Sequence, residues 1–239
     1  GVFTIIGILS SLTFVPILLL PSGTSNFIGK RPNLTRQVLE AIVFVIKTRP
    51  IWLAGLLDTL FSLVLYAAKA FVPLYALSIG VNIVIAGAFF SLQETIHIFA
   101  NPVLGRLSDR LGHLSSAGIG MGLLGMALLL LTIVNEWAIF LAPAALIGLG
   151  QAFVFPSTTA LASSSIDQTH LGTAMGTVGS LRNAGKVVGP VIAGIIIHWL
   201  DFEFTFRLLG IFTLACALSL TLIAKITRKT RLEENIDQV

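Results

Sequence analysis

Gly105-Arg106-Leu107-Ser108-Asp109-Arg110-Leu111-Gly112-His113 is a short polar stretch, closed by two glycines and set between two long apolar segments. Before it, residues 83–104 carry no ionisable group apart from Glu94 and His97; after it, 114–135 carry no charge. The 239 residues are 55% hydrophobic and only 11% charged, with a mean hydropathy of +0.94. Composition of that kind places a chain in a lipid bilayer. The stretch therefore reads as a tight turn between two membrane helices.

The spans follow from the charge pattern. Residues 2–20, 137–166 and 208–224 are also uncharged. A hydrocarbon core of about 30 Å needs roughly 20 apolar helical residues. Three further segments are long enough but carry charges: 51–78 with Asp58 and Lys69, 83–104 with Glu94 and His97, and 171–198 with Arg182 and Lys186. Seven transmembrane helices are predicted, near 2–20, 51–77, 83–104, 115–134, 138–160, 171–198 and 205–225. Lipid offers backbone groups no hydrogen bonds, so spans are helices or closed barrels. Barrel strands alternate apolar and polar residues, and no such alternation occurs here. The fold class is all-α integral membrane, a polytopic helical bundle.

Orientation follows from Lys and Arg. Segments 21–50, 105–114, 158–170 and 225–239 hold Lys30, Arg31, Arg36, Lys47, Arg49, Arg106, Arg110, Lys225, Arg228, Lys229 and Arg231. The opposite turns, 79–82, 135–137 and 199–207, hold only Arg207. The positive-inside bias makes the first side cytoplasmic, including loops 21–50 and 105–114 and the C-terminus. Trp52, Trp137 and Trp199 each fall at a predicted helix end, as in an aromatic belt. The net charge of +4 thus reflects topology, and no nucleic-acid partner is expected.

The quoted stretch closely resembles the helix-connecting signature of the major facilitator superfamily, roughly G-x-L-x-D-R-x-G-R/K, departing only where His113 replaces a fixed positive charge. A second stretch, Gly185-Lys186-Val187-Val188-Gly189-Pro190-Val191-Ile192-Ala193-Gly194, resembles the G-x-x-x-G-P-x-x-G-G pattern of antiporters in that family, with Ala193 for one glycine. Here it lies in the eleventh helix rather than the fifth. Physically, small residues four apart let helices approach closely, and Gly172 and Gly176 extend that face. Proline removes a backbone hydrogen bond and bends a helix.

The resemblance covers essentially the whole chain and implies a secondary transporter. Residues 1–20 would be the last helix of an N-terminal half, 21–50 a cytoplasmic central loop, 51–225 a six-helix C-terminal bundle and 226–239 a cytoplasmic tail. Within the loop, Asn33 can cap an interfacial helix running to about Lys47. Gly1 stands inside an apolar run without Met, which suggests a piece whose N-terminal half lies upstream and forms the other wall of the cavity. By the same resemblance Asp109 holds a cytoplasmic gate together with Gly105, Arg110 and Gly112, pairing with an arginine or capping a neighbouring helix.

Other patterns point elsewhere and fail. Gly120, Gly122 and Gly125 spell G-x-G-x-x-G but lie inside an apolar helix, where no strand precedes them. Gly23 to Lys30 imitates a phosphate loop with one residue too many, and Arg31 replaces Ser/Thr. The sequon at Asn33 falls on the cytoplasmic side. Glu94 and His97 resemble one element of a di-iron bundle, but no second element exists, so no metal and no cofactor are expected. Cys216 is alone, and a lone buried thiol is ordinarily a small apolar residue. A seven-helix membrane receptor is the alternative of a different class. It is disfavoured because Gly105 and Gly112 form a tight turn where a receptor's Asp-Arg caps a continuing helix. The last span also lacks proline and a retinal lysine. No clustered catalytic set appears at a span end, so an enzyme is not expected.

Charges inside the spans carry the functional reading. Each costs at least about 2.5–3.5 kcal/mol on insertion scales, so each needs a partner or a water-filled cavity. Asp58 and Lys69 are three turns apart, about 16 Å along one helix, and cannot pair with each other. Arg182 and Lys186 share a face one turn apart. Glu94 lies at mid-span, at the depth of those two cations, so Glu94 with Arg182 or Lys186 is the expected pair. Asp58, Lys69, Glu94, His97, Arg182 and Lys186 make up the candidate substrate or proton pathway. One cation remains in excess, which suits an anionic group, while Glu94 and His97 can exchange protons. Gln93, Asn101, Asn183, Gln151, Tyr66 and Tyr75 add groups that orient a solute. The expected partners are a small-molecule solute, protons or another coupling ion, and the lipid bilayer. Proton-coupled efflux of small organic or drug-like molecules leads, with uptake of an anionic metabolite as the alternative.

Overall fold

The computed structural model describes residues 48–133, 139–164, 166 and 170–236, with side chains to 227, together with Thr4, Gly7, Ser10 and Ser11. The chain divides into two units, Gly1–Val38 and Leu39–Val239. In the first, the four described residues are helical, and the Ser11 hydroxyl donates to the Gly7 carbonyl at 3.0 Å. The predicted interfacial helix and Trp137 lie outside the described residues, as does most of span 2–20.

The second unit is a bundle of six long helices among the described residues: α1 Arg49–Ser78, α2 Ile83–Leu111, α3 His113–Leu131, α4 Ala142–Ser163, α5 Leu171–Trp199 and α6 Phe202–Ile236. All six are long and apolar enough to cross a membrane, α6 through its segment Phe202–Thr227. The polytopic helical bundle read from the sequence is thus observed.

Helix ends have local causes. Pro50 opens α1 and Pro143 opens α4, where a missing N–H costs nothing. Asn82 caps α2, its side chain accepting from the Val84 N–H at 2.9 Å. Asp201 does the same for α6, accepting from the Phe204 N–H at 2.6 Å. That cap starts α6 three residues before the predicted position.

The Gly105 turn needs correction. Gly105 is inside α2, which runs on to Leu111, so Asp109 and Arg110 occupy a continuing helix. The turn is one residue, Gly112, at φ +92° and ψ 140°. Its N–H donates to the Ser108 carbonyl at 2.9 Å and its carbonyl accepts from Ser116 at 3.0 Å. One residue thus ends α2 and starts α3, in a region of φ that favours glycine. The objection to a receptor drawn from a tight Gly105 turn falls with it.

Packing is layered by glycine. α3 lies between α4 and α6. A Cβ on Gly120 would come within 2.7 Å of the Gly150 carbonyl of α4, and one on Gly125 within 2.9 Å of the Gly210 carbonyl of α6. The G-x-G-x-x-G glycines are therefore contact points on two sides of one helix. α1 pairs with α5 in the same way. A Cβ on Gly185 would strike the Thr59 carbonyl, and one on Gly189 the Leu63 carbonyl. A Cβ on Gly194 would lie 3.2 Å from the Phe71 ring, and α5 runs unbroken through Pro190. Gly172 and Gly176 do not extend this contact, since nothing lies within 4 Å of a Cβ at either. The core between the helices holds Phe61, Phe89, Phe140, Met121, Leu124 and Leu128, all essentially inaccessible.

α2 and α5 differ from the rest. Only 17% of their apolar stretches is buried, against 61% for α1. Phe99 and Val187, for example, stay 77% and 68% exposed. These two helices also carry four of the six intramembrane charges, Glu94, His97, Arg182 and Lys186.

Candidate substrate and proton pathway

Close backbone contact between α1 and α5 brings Asp58 to Arg182. The Arg182 Nε and Nη2 donate to Asp58 Oδ2 at 2.8 and 2.6 Å. The Thr158 hydroxyl of α4 donates to Asp58 Oδ1 at 2.7 Å. Asp58 is wholly buried, so both carboxylate oxygens are satisfied by donors from two neighbouring helices. The Arg182 guanidinium lies 4.6 Å from the centre of the Phe155 ring. His97 packs edge-on against the same ring, with centroids 5.9 Å apart.

A second pair joins α1 to α2. Lys69 Nζ donates to Glu94 Oε1 at 2.6 Å. His97 Nδ1 is 3.4 Å from Glu94 Oε2. The buried Gln93 amide donates to Gln151 Oε1 of α4 at 2.6 Å and reaches Glu94 Oε1 at 3.3 Å. Behind these groups, the Tyr66 ring has Lys69 Nζ and Lys186 Nζ each 5.2 Å from its centre. The six charged candidates thus form one connected group on α1, α2 and α5, with α4 supplying Thr158, Phe155 and Gln151.

The expected pairing of Glu94 with Arg182 or Lys186 is overturned. Its basis was a helix ending at 104, which put Glu94 at mid-span. Because α2 continues to Leu111, its middle lies beyond Glu94, which is eleven residues from the start at Ile83. Helices joined by a short turn reverse direction, so depth is counted from the shared end. Lys69 is nine residues from the end of α1 and stands level with Glu94. Asp58 and Arg182 are nine and eleven residues from the starts of α1 and α5, and they also match. Lys186, thirteen residues from the end of α5, is near the level of Glu94. Depth therefore separates Glu94 from Arg182 but not from Lys186, whose ammonium lies against the Tyr66 ring instead.

A cleft of about 570 Å³ leads toward this group between α2 and α4. It is lined by Asn101, Gly105, Asp109, Phe155, Pro156 and Thr159. Phe155 therefore has the cleft on one side and Arg182 and His97 in contact with its ring. Gly105 faces Pro156, but a Cβ there would lie 3.7 Å from it, an ordinary contact, so the packing does not require glycine. At the far end Asp109 is exposed and makes no hydrogen bond or ion pair with a described residue, so the expected arginine or helix-cap partner is not found. Asp109, Arg110, Gly112 and His113 also line a second cleft, of about 410 Å³, beside α6.

The other polar candidates divide. Gln93 and Gln151 join the charged group, and Asn101 lines the cleft. Tyr75 does not join it, being buried against Phe202 and Phe206. Asn183 is exposed on α5. Thr158 and Phe155, neither charged nor in a motif, are the residues that the sequence reading missed.

Residues 85–238, more than half of the chain, match the sequence profile described as Major Facilitator Superfamily. Over 138 residues the chain is 33% identical to "Multidrug resistance protein MdtG" of Yersinia enterocolitica, covering 53% of this chain and 31% of that one. The MdtG of Escherichia fergusonii is 33% identical over 148 residues, 57% of this chain and 33% of that one. The "Vesicular acetylcholine transporter" of Mus musculus is 26% identical over 140 residues, 58% of this chain and 26% of that one. The matched region spans about a third or less of each relative's length.

Proposed function

The chain belongs to the Major Facilitator Superfamily, and on that premise we propose that it forms the C-terminal six-helix half, with one preceding helix, of a secondary active transporter for small organic molecules. The single observation that carries the proposal is the joined pair of ion pairs, Asp58–Arg182 and Lys69–Glu94, inside otherwise apolar helices. Charges there are expensive to keep and mark a solute or ion route. Relatives named for multidrug resistance and for acetylcholine support a small organic solute.

In this reading the exposed faces of α2 and α5 meet an N-terminal half, and the two bundles rock about the charged group. Proton-coupled efflux is the leading mode. Glu94, next to His97 and half exposed, is the group that takes up the proton. The cleft from Asp109 to Phe155 is the cytoplasmic approach, Asp109 belongs to the gate, and segments 21–50 and 105–114 lie on the cytoplasmic side. Uptake of an anionic metabolite is the second reading, favoured by Lys186, which has no carboxylate within ion-pair distance among the described residues.

The test is reconstitution of the whole protein in proteoliposomes with a panel of drug-like solutes under an imposed pH gradient. At least one solute is expected to move faster than in protein-free vesicles and against its own gradient. A panel that crosses at the protein-free rate in both pH directions counts against transport. Cysteines placed at Asp109 and Glu203 are expected to label from opposite sides of the membrane.

A further inference from the structure

Three cations and two carboxylates meet in the charged group. Asp58 is taken by Arg182 and Glu94 by Lys69, at 2.6 Å each. Lys186 has no such partner among the described residues, and its ammonium lies 5.2 Å from the centre of the Tyr66 ring. Lys69 lies at the same distance from that ring, so the two ammonium groups are no more than about twice that distance apart. Like charges so placed repel, and an aromatic face offsets only part of that. An anion beside Lys186 would remove the imbalance.

The depth of the site limits what this anion is. Lys186 sits at the middle of α5, fifteen residues past Leu171 in a helix of 29. Lipid headgroups lie toward the helix ends, which are about 20 Å away along the axis. The Asp109 cleft ends at Phe155, whose ring is in contact with Arg182, one turn from Lys186 on α5.

We infer that Lys186, held over Tyr66, docks the negatively charged group of the transported solute, which is an organic anion. This deepens the transporter reading and rests on it. A cationic solute would meet the same surplus charge and be disfavoured by it. The Tyr66 face beside the ammonium gives an apolar body of the solute a surface to lie against.

Binding can be read apart from flux. The probes are 3-phenylpropionate, its amide, and 3-phenylpropylamine, which share a body and differ in charge. Thermal stabilisation of the whole purified protein in lipid-free neutral detergent is measured against each. The carboxylate is expected to stabilise at a concentration at least tenfold below the amide and the amine. Lys186→Gln is expected to erase that preference, and Lys186→Arg to keep it. Neither variant disturbs the two ion pairs, so folding is retained. Equal action by the amine or amide would overturn the inference, as would no effect of the carboxylate or a preference that survives Lys186→Gln. Stabilisation by phosphatidylglycerol that displaces the carboxylate's effect would assign the site to lipid and also overturn it. Absence of solute flux in vesicles would instead sink the transporter reading, whatever the binding result.

Discussion

Arg182 on α5 sets two nitrogens, at 2.8 and 2.6 Å, on one carboxylate oxygen of the buried Asp58 on α1. Thr158 on α4 satisfies the other oxygen. Such a pair adds little stability over an apolar replacement, yet losing one partner is costly, at about 3–5 kcal/mol. Arg182→Gln alone should therefore lower the yield and melting temperature sharply. Asp58→Asn with Arg182→Gln should be less destabilised than the two single effects combined. A double-mutant cycle of melting curves checks this, and strictly additive effects would show that the pair is not coupled.

The α1–α5 contact is made backbone to backbone at Gly189 and Leu63. A methyl group at Gly189 meets a carbonyl that cannot rotate away, so the helices must part. Gly189→Ala should cost about 1–3 kcal/mol, as overpacking does. Gly176→Ala meets nothing within 4 Å and should be neutral or stabilising by up to about 1 kcal/mol. Melting temperatures of the two variants should diverge, and equal values would contradict the packing described.

Gly112 and Asp109 should separate fold from function. Gly112 alone connects α2 and α3 at φ +92° and ψ 140°, where an L side chain costs about 1–3 kcal/mol. Gly112→Val should lose stability by about that amount. Asp109 makes no bond to a described residue, so Asp109→Asn should leave melting unchanged. If Asp109 belongs to the gate, the same variant should slow transport severalfold at unchanged membrane abundance. Full transport in Asp109→Asn would reduce it to a solvated helix end.

Much of this was legible in the sequence because lipid enforces simple rules. Apolar runs of about 20 residues or more marked the helices, and the six charges inside three of them marked the group that the fold assembles. The pairing was not legible. Lys69 and Lys186 both lie near the depth of Glu94, and which of them reaches it depends on how the helices are rotated and packed. Gly105 looked like a turn but lies inside α2 beside Pro156, while Gly112 makes the turn alone. Thr158 and Phe155 were missed because a neutral side chain in an apolar helix carries no signal until its neighbours are known. Asp201, by contrast, was a readable cap that would have placed the start of α6 correctly.

The most direct measurement concerns Glu94, paired with Lys69 at 2.6 Å and next to His97. In proteoliposomes of the whole protein, two fluxes of one solute are compared: accumulation driven by a pH gradient, and counterflow at equal pH on both sides. Only the first needs net proton movement. Glu94→Gln should abolish gradient-driven accumulation while keeping counterflow within about twofold of the parent. Accumulation that persists in Glu94→Gln with its pH dependence intact would contradict a proton role for the charged group.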